Sequence, residues 1–156
     1  MKFLLSALLI LVVAGIGLLI IGCPGKRPKT IGLMNKSLYP CPESPNCVSS
    51  MTDSKSHFIP ALSYKTDKQK AYEVLVNLLS VYPGAAIISQ TDDYLYVEFK
   101  SRLFRFVDDV EFYFPEGSSL IHVRSASRLG YSDMNVNRKR LENIRRQFED
   151  ALNASS

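Results

Sequence analysis

FRFVDDVEFYF, residues 104–114, alternates apolar and polar side chains over most of its length. Successive side chains of a strand point to opposite faces. A strand over Leu103–Phe114 therefore puts Phe104, Phe106, Val110, Phe112 and Phe114 on one face. Arg105, Asp109, Glu111 and Tyr113 fall on the other. Asp108 falls on the apolar face, where a carboxylate must find a partner or give up its charge.

The same period continues on both sides. Tyr94–Arg102 sets Leu95, Val97 and Phe99 against Tyr96, Glu98 and Lys100. Ala85–Gln90 reads as a short apolar strand before an Asp92-Asp93 turn. Beyond the Pro115–Ser118 turn, Leu120–Ser127 sets Ile121 and Val123 against His122 and Arg124. Two stretches have a helical period. The first is announced by a capping-box pattern, Thr66 to Gln69. It carries Ala71, Leu75, Leu78, Leu79 and Tyr82 on one face and is stopped by Pro83-Gly84. The second runs from Asn135 to Leu152, with Val136, Leu141, Ile144, Phe148 and Leu152 apolar.

The fold class is thus α+β: an antiparallel four-stranded sheet flanked by two helices (helix-β-β-β-β-helix), with an N-terminal membrane segment. Short connections favour a meander with both helices on its apolar face. The polar face, with Tyr96, Glu98, Lys100, Arg105, Asp109, Glu111, Tyr113, His122 and Arg124, reads as solvated and cross-paired. The other possibility is a binding surface.

The membrane segment is the run from Phe3 to Ile21, nineteen positions without a charge. That length suits a signal sequence or a membrane-spanning helix. Ile20-Ile21-Gly22-Cys23 resembles a lipobox, which would make Cys23 a lipidation site. Lys26, Arg27 and Lys29 follow the run, against Lys2 before it. An uncleaved span would then favour a cytoplasmic C-terminal side, a bias that cleavage removes. Residues 1–23 are accordingly a leader or anchor. Residues 24–40, rich in Pro, Gly and Lys, read as a tether, and 41–152 as the folded domain.

Past the leader there are 18 basic and 15 acidic residues, net +3. That balance is too mild to argue for nucleic acid. The partners expected are the membrane, through residues 1–23, and an unknown small polar ligand or envelope protein. The location expected is membrane-anchored, with the bulk of the chain in the periplasm or another extracytoplasmic space.

YPCPESPNCVSS, residues 39–50, holds Cys41 and Cys47 six positions apart, with Pro42, Pro45 and Asn46 between them. In an oxidising compartment such a pair forms a disulfide. Free thiols, a cysteine nucleophile with His57 as base, and a metal clip are the alternatives. The last lacks partner ligands at zinc spacing, since the two histidines, His57 and His122, are far apart in sequence.

The stretch from Arg124 to Arg138 also breaks the pattern. Arg124, Ser125, Ser127, Arg128, Ser132, Asp133, Asn137 and Arg138 gather donors and hydroxyls at the start of the second helix. Free helix amides and forked guanidinium donors suit a carboxylate or phosphate. The plainer reading is that Ser132 or Asp133 caps the helix while Arg124 or Arg128 neutralises Asp108.

CPESPNCVSS, FRFVDDVEFYF and IHVRSASRLGYSDMNVNRKRLENIR together resemble the domain of unknown function 1499 family, over about residues 39–150. The resemblance implies a small domain, often behind a signal or membrane segment, with no settled activity. Its motif positions here include Cys41, Pro42, Ser44, Pro45, Asn46, Cys47, Val48, Ser49, Ser50, Asp108, Asp109, Glu111, Arg124, Ser125, Ser127, Arg128, Gly130, Ser132, Asp133, Asn137 and Arg138. Met134-Asn135 departs from the glycine expected near the helix entry.

No G-x-S-x-G elbow, phosphate loop or metal set is present, and no cofactor is implied. The leading expectation is a non-enzymatic envelope module that binds a polar or anionic ligand through the Arg124–Arg138 stretch. A hydrolase or transferase acting on an envelope component is the alternative. Asp108 or Asp109 would be its acid or base, Ser49, Ser50 or Ser127 its nucleophile, and Arg124 or Arg128 its anion stabiliser. A third expectation is an assembly partner using the tyrosine-bearing polar face.

Overall fold

The computed structural model describes residues 25–154. The leader and Cys23 lie outside the described residues. In chain order the elements are β1 (Leu33–Met34), β2 (Ser37–Leu38), β3 (Cys47–Ser49), β4 (Leu62–Ser63), α1 (Lys68–Ser80), β5 (Ala85–Gln90), β6 (Tyr94–Lys100), β7 (Val107–Tyr113), β8 (Leu120–Ser127) and α2 (Val136–Ala154). The expected α+β class with two helices holds. The sheet has six strands, not four. β5 to β8 form the antiparallel meander, and β3 and β4 both pair antiparallel with the free edge of β8. These two edge strands lie upstream of the first helix and give no period in the sequence, because two or three residues are too few to establish one. β1 and β2 make a separate small hairpin.

β5 and β8 have the limits read from the sequence. The β6–β7 hairpin does not. Two strands drawn back to back leave no room for a turn, and no Gly, Pro or Asn lies between them. The turn is therefore taken from the apolar run itself. Ser101 N–H donates to Phe106 O at 2.8 Å, Arg105 N–H to Ser101 O at 3.1 Å, and Arg105 adopts φ 55°. β7 starts at Val107, so Phe104 and Phe106 stand exposed on the hairpin tip rather than in the core.

Gly84, after α1, has φ +79°, and a Cβ there would meet Lys100 O at 2.8 Å, so only glycine fits. Asp67, not Thr66, caps α1 by accepting from Lys70 N–H at 2.8 Å. The core lies between the sheet and the helices. Ala71, Leu75 and Leu79 of α1 and Leu141, Ile144 and Phe148 of α2 cover Leu95, Val97, Phe99, Val110, Phe112, Ile121 and Val123. Val136 is exposed, and Asn137 takes the buried place at the start of α2.

The opposite sheet face is also buried over the centre of β6, β7 and β8, while Lys100 and the β5 edge stay exposed. Residues expected to form a tether lie across it. Ile31, Leu33, Leu38 and Met51 pack on Tyr94, Tyr96 and Tyr113. All seven residues of β7 are buried.

Candidate functional site

Three polar constellations are built around β7 and β8. The first sits under the flap formed by residues 25–51. Glu111 and Arg124 are directly opposite each other on the two strands. Arg124 Nη1 donates to Glu111 Oε2 at 3.0 Å. Glu111 Oε1 accepts from Tyr94 Oη at 2.7 Å and from Gly32 N–H of the flap at 2.8 Å. Burial pushes the Glu111 carboxyl above its ordinary range, against the pull of these donors. Burial beside Glu111 raises the Tyr94 phenol, which stays a donor. Arg124 Nε is the one buried side-chain polar atom without a partner among the described residues.

The second constellation adjoins the first on the same face. Arg128 Nε and Nη2 reach both oxygens of Asp109, at 2.7–3.1 Å. Nη2 also pairs with Glu98. Tyr96 Oη donates to Asp109 at 2.5 Å, and Arg27 of the flap donates twice to Glu98. Burial opposes ionisation of Glu98, but bonds from Arg27, Arg128 and Tyr96 hold its carboxyl below the ordinary value. The carboxylates of Asp109 and Glu98 hold the Arg128 guanidinium well above its own. Three acids (Glu98, Asp109, Glu111) meet three bases (Arg27, Arg124, Arg128).

The third lies on the helix side. Asp108 finds its partner in Arg140, at 2.5 Å, rather than in Arg124 or Arg128. Arg140 also donates to Asn137 Oδ1 at 2.7 Å and lies over the Phe99 ring. Ser125 Oγ donates to Asn137 Oδ1, and Asn137 Nδ2 donates to Ser127 Oγ and to Asn46 O. Asn46 Nδ2 donates to Gly130 O at 2.6 Å. The proline-framed loop is therefore clamped onto the β8–α2 loop. Within that loop Cys41 and Cys47 are joined, S–S 2.07 Å.

Apart from Arg124 Nε, the candidate ligand donors are thus largely spent on the protein itself. Arg138 donates to Phe58 O and Ser56 O. Asp133 caps α2, accepting from Asn135 and Asn137 N–H. Ser132 Oγ accepts from Met134 N–H. Met134 and Asn135, where glycine was expected, both have left-handed φ, 53° and 63°. The cap keeps the geometry that glycine favours without the glycine.

The catalytic candidates are not assembled either. Asp108 and Asp109 point to opposite faces. Ser49 is fully buried and accepts from Met51 N–H. Ser127 is taken by Asn137, and His57 Nδ1 lies 2.8 Å from Cys47 O. Ser50 Oγ does lie 3.1 Å from His122 Nδ1. It also accepts from Val123 N–H, and among the described residues no carboxylate is bonded to His122. Burial lowers the His122 imidazole, leaving it neutral at neutral pH. Among the described residues no group of three or more His, Cys, Asp and Glu is placed to hold a metal, and no helix is long and apolar enough to cross a membrane.

Tyr96 and Tyr113 are buried, not on an open face, so an assembly surface there is closed off by the flap. The reading of that face as solvated missed two signals. Three tyrosines occupy its centre, and its acids and bases balance. Ile31, Leu33 and Leu38 upstream are the apolar cover such a face requires.

The fold and its clamps define a small disulfide-stapled α+β domain with a buried ion-paired sheet face. Residues 37–148 match the family described as protein of unknown function, DUF1499, and the chain belongs to it. No curated protein and no solved structure matches the chain.

Proposed function

We propose that the protein is an extracytoplasmic interaction module, held at a membrane by residues 1–23 and acting without catalysis of its own. The observation that carries this reading is the Cys41–Cys47 disulfide. Such bonds persist in oxidising compartments and are rare where thiols are kept reduced. The run Phe3–Ile21 and the lipobox-like Gly22-Cys23 supply the means of attachment. The occupied state of Arg124, Arg128, Asn137 and Arg138 favours a rigid scaffold over a reaction centre. A polar or anionic partner would meet the outer surface of the Arg124–Arg138 stretch, because the inner donors, Arg124 Nε aside, are already bonded.

The test is thiol trapping in cells followed by mass spectrometry of the membrane fraction. Oxidised Cys41 and Cys47 in a membrane-retained chain support the reading. Reduced, freely alkylated thiols defeat it. The Ser50–His122 pair favours the second reading, a hydrolase. It requires Ser50 to be labelled by a fluorophosphonate, and labelling lost in Ser50→Ala would support it.

A further inference from the structure

Half of the exposed large apolar side chains among the described residues stand on two loops. Leu103, Phe104 and Phe106 stand on the β6–β7 hairpin tip, and Leu129, Tyr131 and Met134 on the β8–α2 loop. Phe104 is 50 % exposed, Tyr131 77 % and Met134 83 %. The two loops leave the sheet at the same end. Arg128 N–H donates to Val107 O at 3.1 Å, and Asp108 is paired with Ser127. Phe104 and Phe106 pack on each other, ring centroids 5.7 Å apart, rather than on the core. An exposed cluster of this kind marks an interaction surface.

Charge at this end is one-sided. Arg102 and Arg105 alternate with the apolar residues of the tip, and Lys139 is exposed nearby. Of the neighbouring acids, Asp108, Asp109 and Glu98 are paired with arginines, and Asp133 is taken up by the α2 cap. Aromatic and apolar side chains interleaved with arginine suit the boundary between hydrocarbon and headgroups, where cations are drawn to anionic lipid.

The start of the described chain names the occupant. A Cβ on Gly25 would lie 3.0 Å from Arg128 Cβ and 3.2 Å from Leu129 Cγ. Gly25, four residues after the apolar run in sequence, thus sits at the foot of these same loops. From Ile21 to Gly25 an extended backbone reaches at most about 14 Å. From Cys23 it reaches about 7 Å. With either form of attachment, this end lies within reach of the headgroup layer.

We infer that the hairpin tip 102–106 and the loop 129–134 form a second membrane contact, seated in the interface of the bilayer that residues 1–23 enter. This contact fixes the orientation of the domain. It rests on the anchored reading of the preceding subsection.

The chain contains no tryptophan, so a single introduced indole reports its own surroundings. The full-length chain would be reconstituted as Phe104→Trp, Tyr131→Trp or Leu120→Trp. Leu120 is exposed at the opposite end of the sheet and serves as reference. The vesicles are phosphatidylcholine with phosphatidylglycerol, with or without bromine on the acyl chains. Flotation is read separately. The inference expects Phe104→Trp and Tyr131→Trp to emit at shorter wavelength and lose most of their emission to brominated lipid, while Leu120→Trp is unaffected. A chain that floats with all three indoles unquenched overturns the orientation alone. A chain that does not float overturns the anchored reading and the orientation with it.

Discussion

The sheet face under α1 and α2 and the face under residues 25–51 are buried to similar depth by different means. On the helix side, Leu95, Val97, Val110, Phe112, Ile121 and Val123 meet apolar helix residues, and little but shape is required. On the flap side, three tyrosines and three acid–base pairs close under a short irregular segment. Apolar packing loses stability in proportion to the volume removed. A buried ion pair is near neutral while whole and costly once halved. The helix face therefore supplies the stability of the domain, and the flap face fixes where residues 25–51 must lie.

That contrast is broken most sharply by halving a pair. Arg124→Ala strands Glu111 among Tyr94 and the flap, and should cost about 3–5 kcal/mol in chemical denaturation. Glu111→Leu combined with Arg124→Met should recover most of that loss. If the double variant is as unstable as Arg124→Ala, the two faces do not differ as described. Phe112→Ala, on the helix side, should cost about 3–5 kcal/mol with no second change that restores it short of refilling the volume.

Smaller effects sharpen the same contrast. Joint replacement of Cys41 and Cys47 by alanine should cost about 2 kcal/mol, since the loop closed is short. Acid should weaken the flap side through His122. Its folded imidazole is held below the ordinary 6.5, so above that pH both states are neutral and nothing is lost. Below it the unfolded chain takes up the proton first, and stability falls until the folded imidazole is protonated as well. Thermal melts at pH 7.5 and 5.5 should therefore differ more for wild type than for His122→Asn. Smallest of all, Phe104→Ser with Phe106→Ser should change stability by no more than about 0.5 kcal/mol. A larger loss would mean that the hairpin tip belongs to the core after all.

The helix face was legible in the sequence because apolar period and apolar burial coincide there. β5 and β8 could be bounded to the residue, and both helices lie near their expected limits. The flap face was not legible, because alternation reports which side chains share a face and not what covers it. Glu111 and Arg124 look the same in a pattern whether water or Tyr94 surrounds them. The tip at 102–106 was misassigned for a related reason: FRF has strand character, but the turn needed residues and no better breaker was available. At the site, the residues singled out between Arg124 and Arg138 are bonded mostly within the protein. Of their partners, Asn46 and the carbonyls of Ser56 and Phe58 lie far off in sequence or carry no side-chain signal. Arg140 was the missed residue that Asp108 required. A buried aspartate opposite a helix start was the cue to look for it one turn into α2.

The central claim is that residues 25–51 are a fixed cover and not a tether. Hydrogen exchange of the full-length chain tests it on the peptide spanning 30–38, where Gly32 N–H is bonded to Glu111. The account predicts slow exchange at Gly32 and in the β1–β2 hairpin, released together in Glu111→Gln. Exchange of that peptide at the rate of an open chain, unchanged by the substitution, would contradict it.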